Sequence, residues 1–329
     1  MRTLTGQIVR GTAGYSLVCF ALLLAPWQQA LAKDVSFKSP REALHQGISA
    51  FRSGNYSIAI PALEYAREHK AFSSRYYLAR IHADNNAAYT DHGKAYQLLY
   101  EFVSDHAHTD PADYRKVPTV SSALTRVARY VRDGIPEIGV TADARRAVEY
   151  FRHSATFFNN EDAQFELAKL RLSGQGLRRS VPLALHWLGL LSRKGHPGAQ
   201  AFLADLTWRG KYTRRNPIKA LALINVAVAN APLEDRVWIE DIHQNIFCGA
   251  NLGTRQAVVG MVAAWRSKYG RNAIDRETDS LSSLSAAPVR TCANGEVVRR
   301  IEPATQIAVE PEKRGQPTKS IEFNYGKTR

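Results

Sequence analysis

The chain has 329 residues, 45% of them hydrophobic and 22% charged, with a formal net charge of +14, three cysteines and ten histidines. Beyond its first segment no stretch approaches about 18 uninterrupted apolar residues, which excludes a chain that weaves through a bilayer. No Cys-x-x-Cys or His-Glu-x-x-His spacing occurs, so the commonest zinc-site patterns are excluded as well.

Reading from the N-terminus, Arg2 and Arg10 precede the apolar run Leu17–Trp27, and Ala30-Leu31-Ala32 follows it. This basic, apolar, small-residue order predicts an export leader over residues 1–32, cleaved after Ala32 and leaving a periplasmic chain that does not span a membrane. Loss of Arg2 and Arg10 lowers the formal charge to +12. An excess of Lys and Arg outside the cytoplasm suits acidic protein surfaces, anionic headgroups or acidic polysaccharide, or simply keeps the chain dissolved; nucleic acid is not an expected partner there.

The next 200 residues repeat. Ala163, Leu167, Ala168, Gly174 and Ala184 recur 36 residues later as Ala199, Leu203, Ala204, Gly210 and Ala220. The 17-residue interval from Leu167 to Ala184 is also the interval from Leu78 to Ala95, and Val127, Ala128 and Ala147 mark another unit with three extra residues in its internal loop. An abbreviated first unit runs through Gly47, Phe51 and Leu63, with a tight turn at Ser53-Gly54-Asn55. Self-similarity of this length predicts about five stacked helix pairs, an architecture with a continuous core and a long outer face that usually works by holding a partner.

Within a unit the first helix stops at Gly174 or Gly210, and the second starts at Ser180-Val181-Pro182 or Asn216-Pro217, each pairing an N-cap oxygen with a first-turn proline. The recurrent alanines let neighbouring backbones approach, so a bulky residue at Ala184 or Ala220 is expected to overpack the array. Glu234–Phe247 and Thr254–Tyr269 read as two amphipathic helices covering the end of the stack. After Gly270 the helical period vanishes, and a largely disordered tail is expected, with a short hairpin around Asn294-Gly295. The predicted layout is leader 1–32, repeats 33–232, capping helices 233–270 and tail 271–329.

No pattern of catalysis emerges: there is no nucleophile elbow, no phosphate-cradling glycine loop and no Cys-His pair, and no catalytic, cofactor or metal residue is assigned. His82 with Asp84, Asp91 and His92, and His106 with Asp105, His108 and Asp110, are the densest sets of potential ligands and read as solvated loop groups. Cys248 and Cys292 remain after the leader is lost, an even pair that suits a disulfide in an oxidising compartment. Arg178-Arg179 and Arg214-Arg215 fall 36 residues apart in the same loop of successive units. With units on the order of 10 Å apart they would form a basic ridge for carboxylates, or they are solvated charges at a helix end. All ten histidines lie between His45 and His243, so acid would loosen a partner contact if any of them faces it.

The segments starting at Ala163, Ala184 and Lys194 (Ala-Gln-Phe-Glu-Leu-Ala-Lys-Leu-Arg-Leu-Ser-Gly-Gln-Gly, Ala-Leu-His-Trp-Leu and Lys-Gly-His-Pro-Gly-Ala-Gln) resemble the Sel-one-like repeat, a relative of the tetratricopeptide repeat. That resemblance implies an all-α, right-handed α-solenoid. The leader, the short first unit, the segment Tyr130–Pro136 and Trp238-Ile239 together are similar to the ExoR family of alphaproteobacterial exopolysaccharide regulators, over roughly residues 40–265. This likeness implies a periplasmic regulator that holds the periplasmic domain of a membrane sensor histidine kinase inactive and so represses exopolysaccharide synthesis. Two other classes fit the residues less fully: an envelope or polysaccharide adaptor, and a hydrolase of the cysteine-rich repeat type, whose cysteine pair per unit is missing here.

Overall fold

The computed structural model describes residues 37–85 and 88–269, together with two short strands at 292–293 and 296–297. The expected leader with its cleavage point after Ala32 lies outside the described residues, as does the expected tail apart from those strands.

Ten helices form five successive pairs: α1 (Pro40–Arg52) with α2 (Tyr56–Glu68), α3 (Ser74–His82) with α4 (His92–His106), α5 (Val117–Asp133) with α6 (Ala144–Thr156), α7 (Glu161–Ser173) with α8 (Val181–Arg193), and α9 (Pro197–Arg209) with α10 (Pro217–Ala229). The repeat alanines Ala163, Ala184, Ala199, Ala204 and Ala220 are fully buried, as are Leu188 and Leu191 of the α8 inner stripe. Small residues at these points allow close helix contact, and the leucines between them supply apolar burial worth on the order of 1.5–3 kcal/mol each.

The repeat loops follow the expected chemistry with one exception. Gly174 (φ 81°) and Gly210 (φ 66°) end α7 and α9 in the left-handed conformation, and their N–H groups return to the carbonyls of Leu170 and Leu206. In the third pair the corresponding loop is longer and holds a bridge between Ile135 and Val140 around the 3-10 turn Pro136–Ile138. Asn216 Oδ1 caps α10 by accepting from the Lys219 N–H at 2.9 Å, but Ser180 makes no such bond to α8, so the expected serine cap fails. Pro182 still occupies the first turn there, where its fixed φ suits helix entry without a side-chain cap. The first helices have a cap that sequence reading did not single out. Asn160 Oδ1 accepts from Ala163 N–H (2.9 Å), and 36 residues on His196 Nδ1 accepts from Ala199 N–H (3.1 Å).

The last two helices depart from the expected pair of end caps. α12 (Leu252–Tyr269) does cover the end, packing Val258 and Val262 with the apolar face of α10. α11 (Leu233–Gly249) starts 36 residues after α9, in the register of a sixth first helix, yet does not close a hairpin with α12. It packs Ile239 and Ile246 with α10 and also reaches across earlier first helices. Gly249 lies so close to Trp208 of α9 that an added Cβ would sit 2.6 Å from the indole; Trp238 stacks on Phe165 of α7 (6.5 Å, 10°); and Glu234 reaches Arg126 of α5. Farther on, β1 (Cys292–Ala293) and β2 (Glu296–Val297) pair antiparallel on either side of Asn294-Gly295, and β2 packs against α11. This is the short hairpin expected around Asn294-Gly295.

Candidate functional site

Two arrangements stand out. The first is the loop edge of the fourth and fifth pairs, where Arg178, Arg179, Arg214 and Arg215 are all exposed. The adjacent loops touch: Arg179 Nη2 donates to Tyr212 Oη at 3.1 Å and its guanidinium lies 5.5 Å from the Tyr212 ring centroid. Arg215 rests over Trp208 at 5.4 Å. Arg214 and Arg215 also border an open depression with Leu203, Thr207, Lys219 and Thr254. Stacking on an aromatic face orders a guanidinium, so Arg179 and Arg215 are held in place on this edge.

The second arrangement lies on the face crossed by α11. On α5, Arg126, Arg129 and Arg132 project at helical spacing toward α7 and α11. Glu166 of α7 is only 4% exposed and is held by Arg129 Nε (3.0 Å), Arg132 Nη1 (2.6 Å) and Lys169 Nζ (2.8 Å). Burial alone would raise its pKa, but the three cations outweigh that and hold the carboxyl below its ordinary range. Beside it, His196 Nε2 bonds Asp162 Oδ1 at 2.9 Å. Because Nδ1 accepts from the Ala199 N–H, Nε2 carries the proton and donates. Against the effect of burial, the His196 bond and the charges of Arg129 and Arg126 bring Asp162 down to about 2. At the start of α11, burial pushes Asp235 upward, and its carboxylate accepts from Trp238 Nε1 at 2.9 Å.

The histidine clusters are solvated only in part, as Asp91, Asp105, His108 and Asp110 are exposed but His82 is not. His82 is buried on α3 and donates Nδ1–H to the Tyr89 carbonyl (2.8 Å), while His92 bridges Tyr130 Oη and Asn85 Oδ1. His106 packs against the Phe72 and Phe102 rings, and Asp105 pairs with Arg75. Burial lowers the pKa of His106, His153 and His243. No group of three potential metal ligands converges among the described residues, and no helix among them is long and apolar enough to cross a membrane. Cys248 is buried and disulfide-bonded; its expected partner Cys292 starts β1, with a side chain outside the described residues.

This geometry can be set against known proteins. The Sel1 repeat model matches residues 121–156, 161–196 and 197–228, which correspond to the pairs α5–α6, α7–α8 and α9–α10. The matched stretches take in about a third of the chain. Over 222 residues it is 28% identical to the exopolysaccharide production negative regulator of Rhizobium leguminosarum bv. viciae, covering 68% of this chain and 80% of that protein. A protein of the same description from Rhizobium meliloti (strain 1021) is 28% identical over 215 residues, 65% of this chain and 78% of that one. Two solved structures are also similar. The protective antigen c5321 of uropathogenic Escherichia coli, described as having an SLR fold, matches with a TM-score of 0.42 and 18% identity over 78% of this chain, which spans 58% of that protein. A Sel1 repeat protein from Oxalobacter formigenes matches with a TM-score of 0.48 and 16% identity, over 71% of this chain and 86% of the other. The Sel1 helices thus display both arrangements: the arginine edge lies in their loops, and the α5–α7 charge cluster on their first helices.

Sequence reading singled out the four loop arginines and passed over the cluster. The signal for the cluster was present in Arg126, Arg129 and Arg132, three arginines on one side of a helix whose opposite side is apolar. Apart from Asp133, which pairs with Arg132 next to it, their acidic partners are 34 to 108 residues away and leave no local mark.

Proposed function

We propose that this chain is an exported, protein-binding negative regulator of exopolysaccharide production, which holds the periplasmic domain of a membrane sensor histidine kinase inactive. The observation that carries the reading is the alignment with two proteins of that description over about two thirds of this chain and four fifths of theirs. Stacked helix pairs with a long outer face suit holding a partner. In this reading Arg178, Arg179, Arg214 and Arg215 meet acidic side chains of the kinase domain, and a Cys248–Cys292 bridge ties the β1–β2 hairpin to α11.

The test is capture of envelope proteins on the purified mature chain, with a deletion strain scored for exopolysaccharide. Recovery of a sensor kinase together with excess polymer in the deletion strain is the expected result. Recovery of polymer synthesis or export machinery alone, with polymer output unchanged, would replace the regulator by an adaptor. Glutamate substitutions at the four arginines should abolish capture while leaving circular dichroism unchanged; undiminished capture would remove that edge from the interface.

A further inference from the structure

The contact between α5 and α11 is unlike the other ion pairs of the array. It joins Arg126 Nη2 to Glu234 Oε2 across 108 residues, and the Arg126 side chain is only 16% exposed. Its Nε is buried and has no hydrogen-bond partner. A guanidinium offers Nε–H and Nη–H as a matched edge for both oxygens of one carboxylate. Glu234, carried in on the first turn of α11, engages one nitrogen and leaves the other unsatisfied, which is costly for a buried donor.

The surroundings mix arginines, acids and aromatic rings. Arg80 of α3 has its guanidinium over the Phe51 and Tyr76 rings (4.8 and 5.8 Å), and Arg129 is shared with Glu166. Arg126, Arg80 and Arg129 together hold the Glu234 carboxyl, whose side chain is 43% exposed, below its ordinary range. Glu166 already has Arg129, Arg132 and Lys169, and Asp162 draws on Arg126 and Arg129, so the feature left over at this point is the unpaired Arg126 Nε. Beside Glu234, Leu233 and Val237 are half exposed on α11. A carboxylate flanked by apolar side chains, as in an acidic peptide, matches this combination of arginines, aromatic rings and aliphatic groups.

We propose that the arginine row Arg80–Arg126–Arg129 is a carboxylate-reading site for an acidic peptide segment of a protein partner, and that Glu234 of α11 occupies it as a built-in competitor in the free chain. This deepens the protein-binding reading and rests on it. The partner carboxylate takes the side-on position on Arg126 that Glu234 fills incompletely, and α11 gives way at its first turn. The remainder of α11 stays anchored through Trp238 on Phe165 and Gly249 on Trp208.

The test uses the full mature chain and a labelled synthetic peptide copying residues 232–240, read by fluorescence anisotropy. Glu234→Gln should tighten peptide binding about tenfold over the unsubstituted chain, and adding Arg126→Gln should abolish the gain. Glu234→Asp, which keeps the charge but shortens the reach, should fall between, and it serves if the Gln variant melts early. Equal affinity for all variants overturns the proposal. So does trigalacturonate displacing the peptide at equal carboxylate concentration, which would assign the row to acidic glycan. In the envelope capture described above, a kinase still recovered on the Arg126→Gln chain defeats this inference and leaves protein binding standing; no protein recovered on any chain defeats the reading beneath it.

Discussion

α9 and α11 begin one repeat length apart, and their fates differ. α9 packs tightly with α10, buries Ala199, Ala201 and Ala204 completely, and ends at a left-handed glycine. α11 is 17 residues long against 13, lacks the buried alanines at the equivalent sites, and presents Asp235 where α9 has Ala199. Without small residues for a close hairpin, it lies over the first helices and turns its acids toward their arginines. The difference teaches that repeat length sets where a helix starts, whereas the small residues on its face decide what it packs against.

The contrast is most open to breakage at Glu166, beneath α11. Glu166→Gln removes the charge that three partly buried cations share and leaves Arg132 with Asp133 alone, so a loss of about 3–5 kcal/mol is expected in urea unfolding. A loss below about 1 kcal/mol would mean that the cluster contributes little. Because Glu166 and Asp162 are held below their unfolded values, the stability they confer is complete above those values and disappears as pH falls through the folded ones. Stability should therefore decline from about pH 4.5 downward, toward about 2 for Asp162, and Glu166→Gln should flatten the upper part of that decline. On the regular side of the contrast, Ala184→Leu should destabilise by about 1–3 kcal/mol through overpacking.

The smallest expected effect separates two caps that look alike in sequence. Asn216→Ala should cost about 1 kcal/mol because Oδ1 is bonded to the Lys219 N–H. Ser180→Ala should be near neutral, since its hydroxyl makes no cap. Equal losses in thermal melts would show that backbone register, rather than the side-chain bond, governs these starts.

Much of the fold was legible because its determinants are local or periodic. The 36-residue offset, the alanine contacts, the glycine stops and the longer third loop all appear as spacings within a few dozen residues. Ser180 misled because a capping residue type does not establish a capping rotamer. His82 misled because a histidine near aspartates reads as a solvated ligand set, whereas its place on the buried side of a short helix depends on neighbouring pairs. The arginine edge was legible because both loops repeat. The path of α11 was not, since amphipathic periodicity identifies a helix without indicating which surface receives it.

The measurement that bears most directly on α11 lying across the first helices is a double-mutant cycle between Arg126→Gln and Glu234→Gln, followed by urea unfolding. With the partly buried pair formed, the two changes should be non-additive by about 1 kcal/mol or more. Effects that add within about 0.3–0.5 kcal/mol would place Glu234 away from Arg126 and contradict the account.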